Sequence, residues 1–304
     1  IPASAVRSRS RCCRLHSPGT RTLSQRYARA YAGLADSYVV MQHYTGRLAT
    51  ETIPKARAAA LKALELDERL AEPHASLGFI HGTYDWDFVA AEKELLRAIE
   101  IDPSYPTAHQ WRGLLLTAQG RFDEAIAEGR KATELDPLSL IIHSAYARTL
   151  YFAGRYDASI SVARKAIELD PSFNVAYTWL GASHQAKGMH REAIAAFEKA
   201  AELSGRRFEA LGDLGQAYAV TGRRDEALSI VEEMKRAIGS GRDAYYNLAL
   251  VYVGLGEKDR AFEALDRAVE VHGFLRYLKV DPRFGPIRSD PRFQGLLRQI
   301  GLAG

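Results

Sequence analysis

"PTAHQWRGLLLTAQGRFDEAIAEGRKATELDP", residues 106–137, contains two helical stretches separated by a glycine. The first stretch is predicted to end at Gly120, which suits the left-handed conformation that closes a helix. Asp123 is placed to cap a second helix, and Glu124 would lie in its first turn, where the helix dipole favours an acid. Pro137 has no amide hydrogen and cannot continue that helix. The stretch therefore predicts a unit of helix, short turn, helix and short turn.

The same pattern recurs along the chain with a period of 34 residues. The turn glycines keep this period without a slip at Gly120, Gly154, Gly188, Gly222 and Gly256. A ladder of small residues in the second helix keeps it as well, broken only by Met234, at Ala98, Ala132, Ala166, Ala200 and Ala268. Several ladders with one period indicate an internal repeat, which is typical of solenoid proteins.

Small residues stand where the two helices of a unit are expected to touch. Gly113 in the first helix and Ala125 and Ala132 in the second leave room for close backbone approach, while Trp111 and Phe122 fill the space beside them. The pattern predicts two helices packed tightly against each other in each unit.

These repeats resemble the tetratricopeptide repeat family, whose units are 34-residue helical hairpins stacked into a superhelix. The resemblance implies an all-α fold, a right-handed α-solenoid of about seven hairpins over residues 28–275. The unit at 71–105 carries one extra residue near "TYDWDF", and the first unit spans about 28–70. The five regular units are expected to start near Pro106, Leu140, Asn174, Phe208 and Arg242.

The motif Asp-Pro-Arg-Phe follows the last repeat twice, at 281–284 and 290–293. In the second copy Ser289 or Asp290 is placed to cap a helix, with the proline in its first turn. The last unit of a solenoid has one face without a neighbour and needs a cover. We therefore predict that residues 276–304 form a C-terminal cap that includes a capping helix; a binding site at the doubled motif is the alternative. Its apolar anchors would be Phe284, Ile287, Phe293, Leu296, Leu297 and Ile300.

Residues 1–27 contain six arginines and no acid, whereas the whole chain has a net charge of only +4. The basic character therefore belongs to this segment, whose arginine and serine content predicts a disordered tail. Such a tail can bind nucleic acid by neutralising phosphates, which is the alternative function. Its shortness and its single aromatic residue favour instead a linker or the remnant of an upstream region.

The only cysteines, Cys12 and Cys13, are adjacent in this tail and cannot join distant parts of the fold. They could bind a metal ion or oxidise, or they could be two unpaired thiols. The chain has no apolar run of the roughly 18 residues that a membrane span needs, and its start lacks the apolar core of a signal peptide. We expect a cytoplasmic protein.

The sequence predicts no enzyme, no metal site and no cofactor. It contains no phosphate-binding glycine loop, no dinucleotide fingerprint and no motif of a nucleophilic or zinc hydrolase. The histidines at one slot of the first helices stand where other units have tyrosine, so we interpret them as packing residues. That slot holds His74, His109 and His143, and in other units Tyr31, Tyr177 and Tyr245.

In the family that the repeats resemble, the first helices of successive units line a concave groove that binds a partner. The mixture of apolar side chains and hydrogen-bond donors at those positions suits an extended or helical peptide. The basic and amide side chains with which some family members hold acidic chaperone tails are absent from the corresponding slots here. The resemblance implies a peptide-binding or partner-binding groove lined by Asp36, Phe79, Gln110, Leu114, Arg148, Tyr151, Phe152, Gln216, Tyr246 and Leu250.

The ending "LRYLKVDPRFGPIRSDPRFQGLLRQIGL" also resembles the C-termini of bacterial signalling proteins, in which a tetratricopeptide array follows a kinase, a winged-helix or a cyclase-like domain. That resemblance implies the sensory or scaffolding part of a signalling or transcriptional regulatory protein. Its effector domain would be missing or encoded elsewhere. The sequence therefore predicts a non-enzymatic protein–protein interaction module.

Overall fold

The computed structural model describes residues 18–45, 49–239 and 244–303. Every regular element in these ranges is helical, which confirms the all-α solenoid. Fourteen of the α-helices in these ranges form seven consecutive hairpins, and α15 follows them. The helices are α1 (Pro18–Thr45), α2 (Ala49–Leu66), α3 (Ala71–Ile80), α4 (Phe88–Ile101), α5 (Pro106–Gln119), α6 (Phe122–Leu135), α7 (Leu140–Phe152), α8 (Tyr156–Leu169), α9 (Asn174–Ala186), α10 (His190–Leu203), α11 (Phe208–Val220), α12 (Arg224–Gly239), α13 (Tyr245–Leu255), α14 (Lys258–Glu270) and α15 (Pro291–Gln299).

The first helices of the regular units begin where the sequence places them. α5, α7, α9 and α11 start at the predicted residues. α13 starts at Tyr245, and the predicted unit start at Arg242 lies outside the described residues. All five turn glycines are in the left-handed region, with φ between 71° and 81°. The predicted cap at Asp123 is wrong, because α6 already begins at Phe122 and the capping position is Arg121, which makes no side-chain bond there. The turn after the glycine is a single residue long, which leaves Asp123 inside the first helical turn.

Close approach of the two helices in a unit depends on the small residues. A Cβ atom built on Gly113 would lie 3.3 Å from the carbonyl oxygen of Ala125. On Gly181 it would lie 2.7 Å from ring atoms of Phe197 and 3.1 Å from the carbonyl oxygen of Ala193. At these two positions the facing helix occupies the space that any larger side chain would need.

The N-terminal boundary differs from the prediction. Helix α1 begins at Pro18, ten residues before the expected start of the array, so residues 18–27 are helical. Proline suits the first turn of a helix, where an amide hydrogen has no partner in any case. The Ser24 hydroxyl of this extension lies 3.5 Å from the carbonyl oxygen of Leu66 at the end of α2. Residues 1–17, with Cys12 and Cys13, lie outside the described residues.

The second unit accommodates its extra residue in a π-helical turn, His81–Asp85, which continues α3. A π-turn adds one residue to a helix without ending it and often occurs at functional sites. Trp86 follows with a left-handed φ of 55°, and Asp87 then caps α4 by accepting a hydrogen bond from the amide of Ala90. The side chains of Tyr84 and Trp86 in this turn contact His272, which lies just after the last repeat.

Both copies of the doubled motif start a helix, as predicted. The Asp281 carboxylate accepts a hydrogen bond from the amide of Arg283 at the start of a 3₁₀-helix, Pro282–Ile287. The Asp290 carboxylate does the same for Arg292 at the start of α15. All six predicted anchors of the cap are buried. The 3₁₀-helix packs on α13 and α15 packs on α14, so these two elements cover the last repeat.

In the part of the chain that the structure describes, no helix is both long enough and apolar enough to span a membrane.

Candidate functional site: the concave groove and the segment inside it

Residues 272–283, here called the groove segment, follow the last repeat and include the first two residues of the 3₁₀-helix. They do not continue the stack of hairpins; they cross the concave side of the array and contact its first helices. Leu275, Tyr277 and Leu278 are almost completely buried there. The groove that was predicted to hold a partner therefore already holds a piece of its own chain.

At one end the groove segment meets the π-turn of the second unit. The ring of His272 stacks on those of Tyr84 and Trp86, with centroids 4.8 Å and 4.9 Å away. Its Nδ1 lies 3.2 Å from the carbonyl oxygen of Tyr84. The end of α15 comes to the same place, since a Cβ atom on Gly301 would lie only 2.7 Å from the carbonyl oxygen of Trp86. The residues after the last repeat thus contact the second unit, which lies near the other end of the array.

In the middle of the groove segment, aromatic and guanidinium groups interleave. The Tyr277 ring stacks on Phe152 of α7 at a centroid distance of 5.0 Å. The Arg148 guanidinium carbon lies 5.0 Å from the centre of the same Tyr277 ring. The Arg276 guanidinium carbon lies 4.9 Å from the centre of Phe79 in α3. Side chains from α3 and α7 therefore hold two consecutive residues of the segment.

At the other end of the groove segment lies a buried ion-pair network. Arg283 pairs with Asp281 at 2.7 Å and with Asp213 of α11 at 2.5 Å. The Tyr246 hydroxyl of α13 donates to Asp281 at 2.8 Å, and Asp281 has no exposed surface. Burial opposes the charge of Arg283, but the two carboxylates outweigh it and hold the pKa of Arg283 well above its ordinary value. The network ties α11 and α13 to the start of the 3₁₀-helix.

Four of the ten residues predicted to line the groove contact the groove segment directly: Phe79, Arg148, Phe152 and Tyr246. Tyr151 is buried in an aromatic cluster with Phe152, Tyr156 and Trp179, close enough to Arg283 and Asp281 to interact with their charges. Gln110, Leu114 and Leu250 are buried, and Gln216 accepts a hydrogen bond from Gln185 at 2.6 Å.

Asp36, the tenth predicted residue, lies in the first unit away from the groove segment. Its carboxylate accepts hydrogen bonds from the hydroxyls of Ser76 and Tyr105. Burial nevertheless raises the pKa of Asp36 from 3.8 to about 6. The structure thus places between the first two units a carboxyl group that holds its proton more tightly than an exposed aspartate does.

The histidines of the repeated slot lie between the two helices of a unit, but they bind polar groups as well as pack: the Nδ1 atoms of His74 and His109 each lie 2.6 Å from a glutamate of the second helix, Glu94 and Glu128. His109 Nε2 lies 3.0 Å from the carbonyl oxygen of Pro103, and His143 Nε2 lies 2.8 Å from that of Pro137. Tyr177 makes the same contact in its own unit, donating to the carbonyl oxygen of Pro171 at 3.1 Å. In these three units the slot therefore connects the first helix to the preceding turn. Among the described residues no group of three or more histidine, cysteine, aspartate or glutamate side chains is arranged to hold a metal ion.

Sequence reasoning missed the groove segment because the segment has neither the repeat period nor a helical pattern. Its signals were present in two places. "HGFLRYLKV" is rich in large apolar and aromatic residues although it follows the last helix. Asp213 stands at a packed position of α11, where an acid requires a buried partner.

Paired helices stacked around a concave surface define a helical-repeat scaffold. Models of the tetratricopeptide repeat match residues 87–139, 144–203, 184–239 and 243–271, which together make up more than half of the chain. The chain belongs to the tetratricopeptide repeat family, whose members are protein-interaction modules.

Solved structures with the same fold come from distant proteins. PilF of Pseudomonas aeruginosa is 19% identical, with a TM-score of 0.52 over 70% of this chain and 93% of that one. PilW, a type IV pilus biogenesis factor, is 18% identical, with a TM-score of 0.55 over 70% of this chain and 94% of that one. The human IFIT1 dimer with m7Gppp-AAAA is 15% identical, with a TM-score of 0.60 over 82% of this chain and 65% of that one. At these identities the likeness shows the fold alone. No curated protein matches the chain.

Proposed function

We propose that this chain is a non-enzymatic interaction module that recognises a polypeptide segment on the first helices of its repeats. The observation that carries this proposal is that the groove already binds a segment made of tight turns, through side chains of α3, α7, α11 and α13. A surface that holds residues 272–283 within the chain has the chemistry to hold a similar segment of a partner. Stacking rings give it affinity, and paired charges give it register.

The contacts define what such a partner segment would contain. The Phe152 face accepts an aromatic ring, which Tyr277 supplies in the chain itself. Asp213 accepts a guanidinium, which Arg283 supplies six residues later. A partner with an aromatic residue and an arginine at that separation would reproduce both anchors.

The groove segment competes strongly with any such partner for the same side chains. Burying one large apolar side chain is worth about 1.5–3 kcal/mol, and Leu275, Tyr277 and Leu278 are all buried. A peptide with a nanomolar dissociation constant gains about 12 kcal/mol at standard state, so displacing the groove segment would consume much of that gain. We therefore expect the wild-type groove to resist free peptides and a weakened groove segment to admit them.

The test uses the full chain with Tyr277→Ala and a synthetic peptide of residues 272–287. The substitution empties the space on Phe152, and the peptide supplies the missing ring in trans. We expect the peptide to raise the melting temperature of the variant and to bind it at micromolar concentration, with little binding to the wild-type chain. The control peptide carries alanine in place of its tyrosine and of the arginine that corresponds to Arg283, and should do neither. Equal effects of the two peptides would refute recognition by the groove.

The proposal includes a place in a bacterial signalling or transcriptional regulatory protein, with the array as its sensory or scaffolding part. The resemblance of the C-terminal sequence supports this part of the proposal. Sequencing the coding region upstream of residue 1 tests it: a kinase, winged-helix or cyclase-like domain in the same reading frame is the expected result. An upstream region that encodes no effector domain would count against it.

A further inference from the structure

Arg276 is a buried cation for which the described residues supply no anion. The residue is 6% exposed, and its guanidinium lies between the rings of Phe79, Phe274 and Tyr277, at 4.9–5.2 Å from their centres. Its Nε atom is buried without a hydrogen-bond acceptor. Aromatic rings stabilise a guanidinium through their negative faces, but they do not replace an acceptor in the plane of its N–H groups.

A second guanidinium lies on the same ring. The Arg148 carbon is 5.0 Å from the centre of Tyr277 and 5.6 Å from the centre of Trp179, and its Nε atom is also buried without an acceptor. The hydroxyl of Tyr277 is a third buried polar group without a partner. Arg148 is only partly buried, so the cluster opens to solvent on its side.

Arg283, the other buried arginine of the groove segment, is neutralised within the chain. Arg283 has two carboxylates within ion-pair distance, Asp213 and Asp281. Among the described residues no carboxylate pairs with Arg148 or Arg276, and burial together with the charge of Arg148 lowers the pKa of Arg276 to about 10. An unpaired buried charge is among the costliest features a fold can contain. The described residues thus leave this pair of cations without an anion, and a bound anion would supply it.

We propose that Arg148, Arg276 and Tyr277 form a binding site for a phosphate group, at the junction of α7 and the groove segment. Two guanidiniums match the charge of a phosphate ester, which is about −1.5 to −2 at neutral pH, and the unpartnered N–H and O–H groups of the cluster are donors that phosphate oxygens accept. A carboxylate would neutralise only one of the two cations. The phosphate belongs to free phosphate ion or to a phosphate ester, and it would lock the groove segment onto α7.

Isothermal titration of the full chain with inorganic phosphate tests the site, with sodium chloride used to hold ionic strength constant. We expect saturable binding with one site per chain. Tyr277→Phe removes only the hydroxyl, and Arg148→Gln changes a partly exposed side chain, so both variants should fold. Each should raise the dissociation constant at least about 10-fold, the usual effect of removing one hydrogen bond to a charged group. Arg292→Gln, a change to an arginine outside the groove, is the matched control and should leave the constant unchanged.

Two further arms identify the ligand chemistry. Phenyl phosphate that binds at least as tightly as inorganic phosphate would identify an ester-binding site, and much weaker binding would identify a site for the free ion. Acetate that binds as tightly as phosphate would overturn the phosphate assignment. The absence of saturable binding at millimolar phosphate, or dissociation constants unchanged in both Tyr277→Phe and Arg148→Gln, would overturn the site itself.

Discussion

Arg283 and Arg292 occupy the same position of the Asp-Pro-Arg-Phe motif, but they meet different surroundings. Arg283 is buried between two carboxylates, one of them from α11. The Arg292 side chain is 49% exposed, pairs with Asp290 and Asp259, and lies over the Phe262 ring at 4.1 Å. The Asp-Pro-Arg-Phe motif starts a helix in both copies, whereas the burial of each arginine depends on the helix that it faces.

The two arginines should therefore differ sharply on substitution. We expect Arg283→Ala to lower the free energy of unfolding by about 3–5 kcal/mol, because it leaves Asp213 and Asp281 buried without a counter-charge. Arg292→Ala should cost about 1 kcal/mol or less, because its ion pairs are exposed to solvent. Urea denaturation of the two variants measures the difference. Equal losses would show that the buried network contributes no more than a surface ion pair.

Asp36 should give the stability of the chain a distinct pH dependence. Because its pKa is raised from 3.8 to about 6, the folded protein holds this proton more tightly than the unfolded chain does. Between pH 4 and pH 6 the native state thus binds more protons, so this residue lowers stability as pH rises through that window.

Asp36→Asn should match the wild-type chain near pH 4, where the carboxyl is protonated, and exceed its stability at pH 7. The gain should be about 1–2 kcal/mol, less than the full pKa shift implies, because the carboxyl is partly exposed. Denaturant titrations at both pH values measure it. A difference between the two proteins that does not change with pH would show that Asp36 does not titrate in this window.

At the scale of helices, the sequence predicts what is local and misses what is distant. The starts of α5, α7, α9 and α11 follow from glycine and proline positions, which act within a few residues. The one-residue turn before Phe122 was not predicted, because Asp123 is a favoured capping residue whereas Arg121, which occupies the capping position, is not. The groove positions were predicted from the repeat register, but the segment that covers them depends on contacts between residues far apart in sequence, such as His272 with Tyr84. No periodic pattern records such contacts.

Glycines inside helices offer a test of the helix contacts. Gly181→Ala would place a methyl group 2.7 Å from the Phe197 ring and force α9 away from α10, so we expect a loss of about 1–3 kcal/mol. Gly295→Ala is the matched control in α15, where a Cβ atom has no neighbour within 4 Å. It should gain about 0.5–1 kcal/mol, because alanine favours a helix over glycine. Thermal unfolding of both variants measures the two changes. A Gly181→Ala protein as stable as the wild-type chain would disprove the tight contact between α9 and α10.

At the scale of the whole molecule, the end of the chain is both a cover and an internal brace. The 3₁₀-helix and α15 cover the last hairpin, as expected for a solenoid whose terminal face would otherwise be bare. The groove segment contacts α3, α7, α11 and α13, which belong to four different units. Stability in a simple solenoid is shared between neighbouring repeats, whereas here one segment also couples repeats that are not consecutive, such as the second and the fourth. The array should therefore unfold more cooperatively than its repeat architecture alone implies.

Hydrogen exchange distinguishes the stabilisation provided by the groove segment from that provided by the 3₁₀-helix and α15, which cover the last hairpin. Deleting residues 272–304 removes both, and amides in α3 and α7 should lose protection together with those in α13 and α14, because the groove segment stabilises all four. Phe293→Ala weakens only the cover: its ring is fully buried beside α14, but the groove segment keeps its contacts. In that variant the loss of protection should stay within α13, α14 and α15. If the deletion leaves α3 and α7 as protected as in the full chain, the groove segment stabilises only its own neighbours, and the coupling between distant repeats is absent.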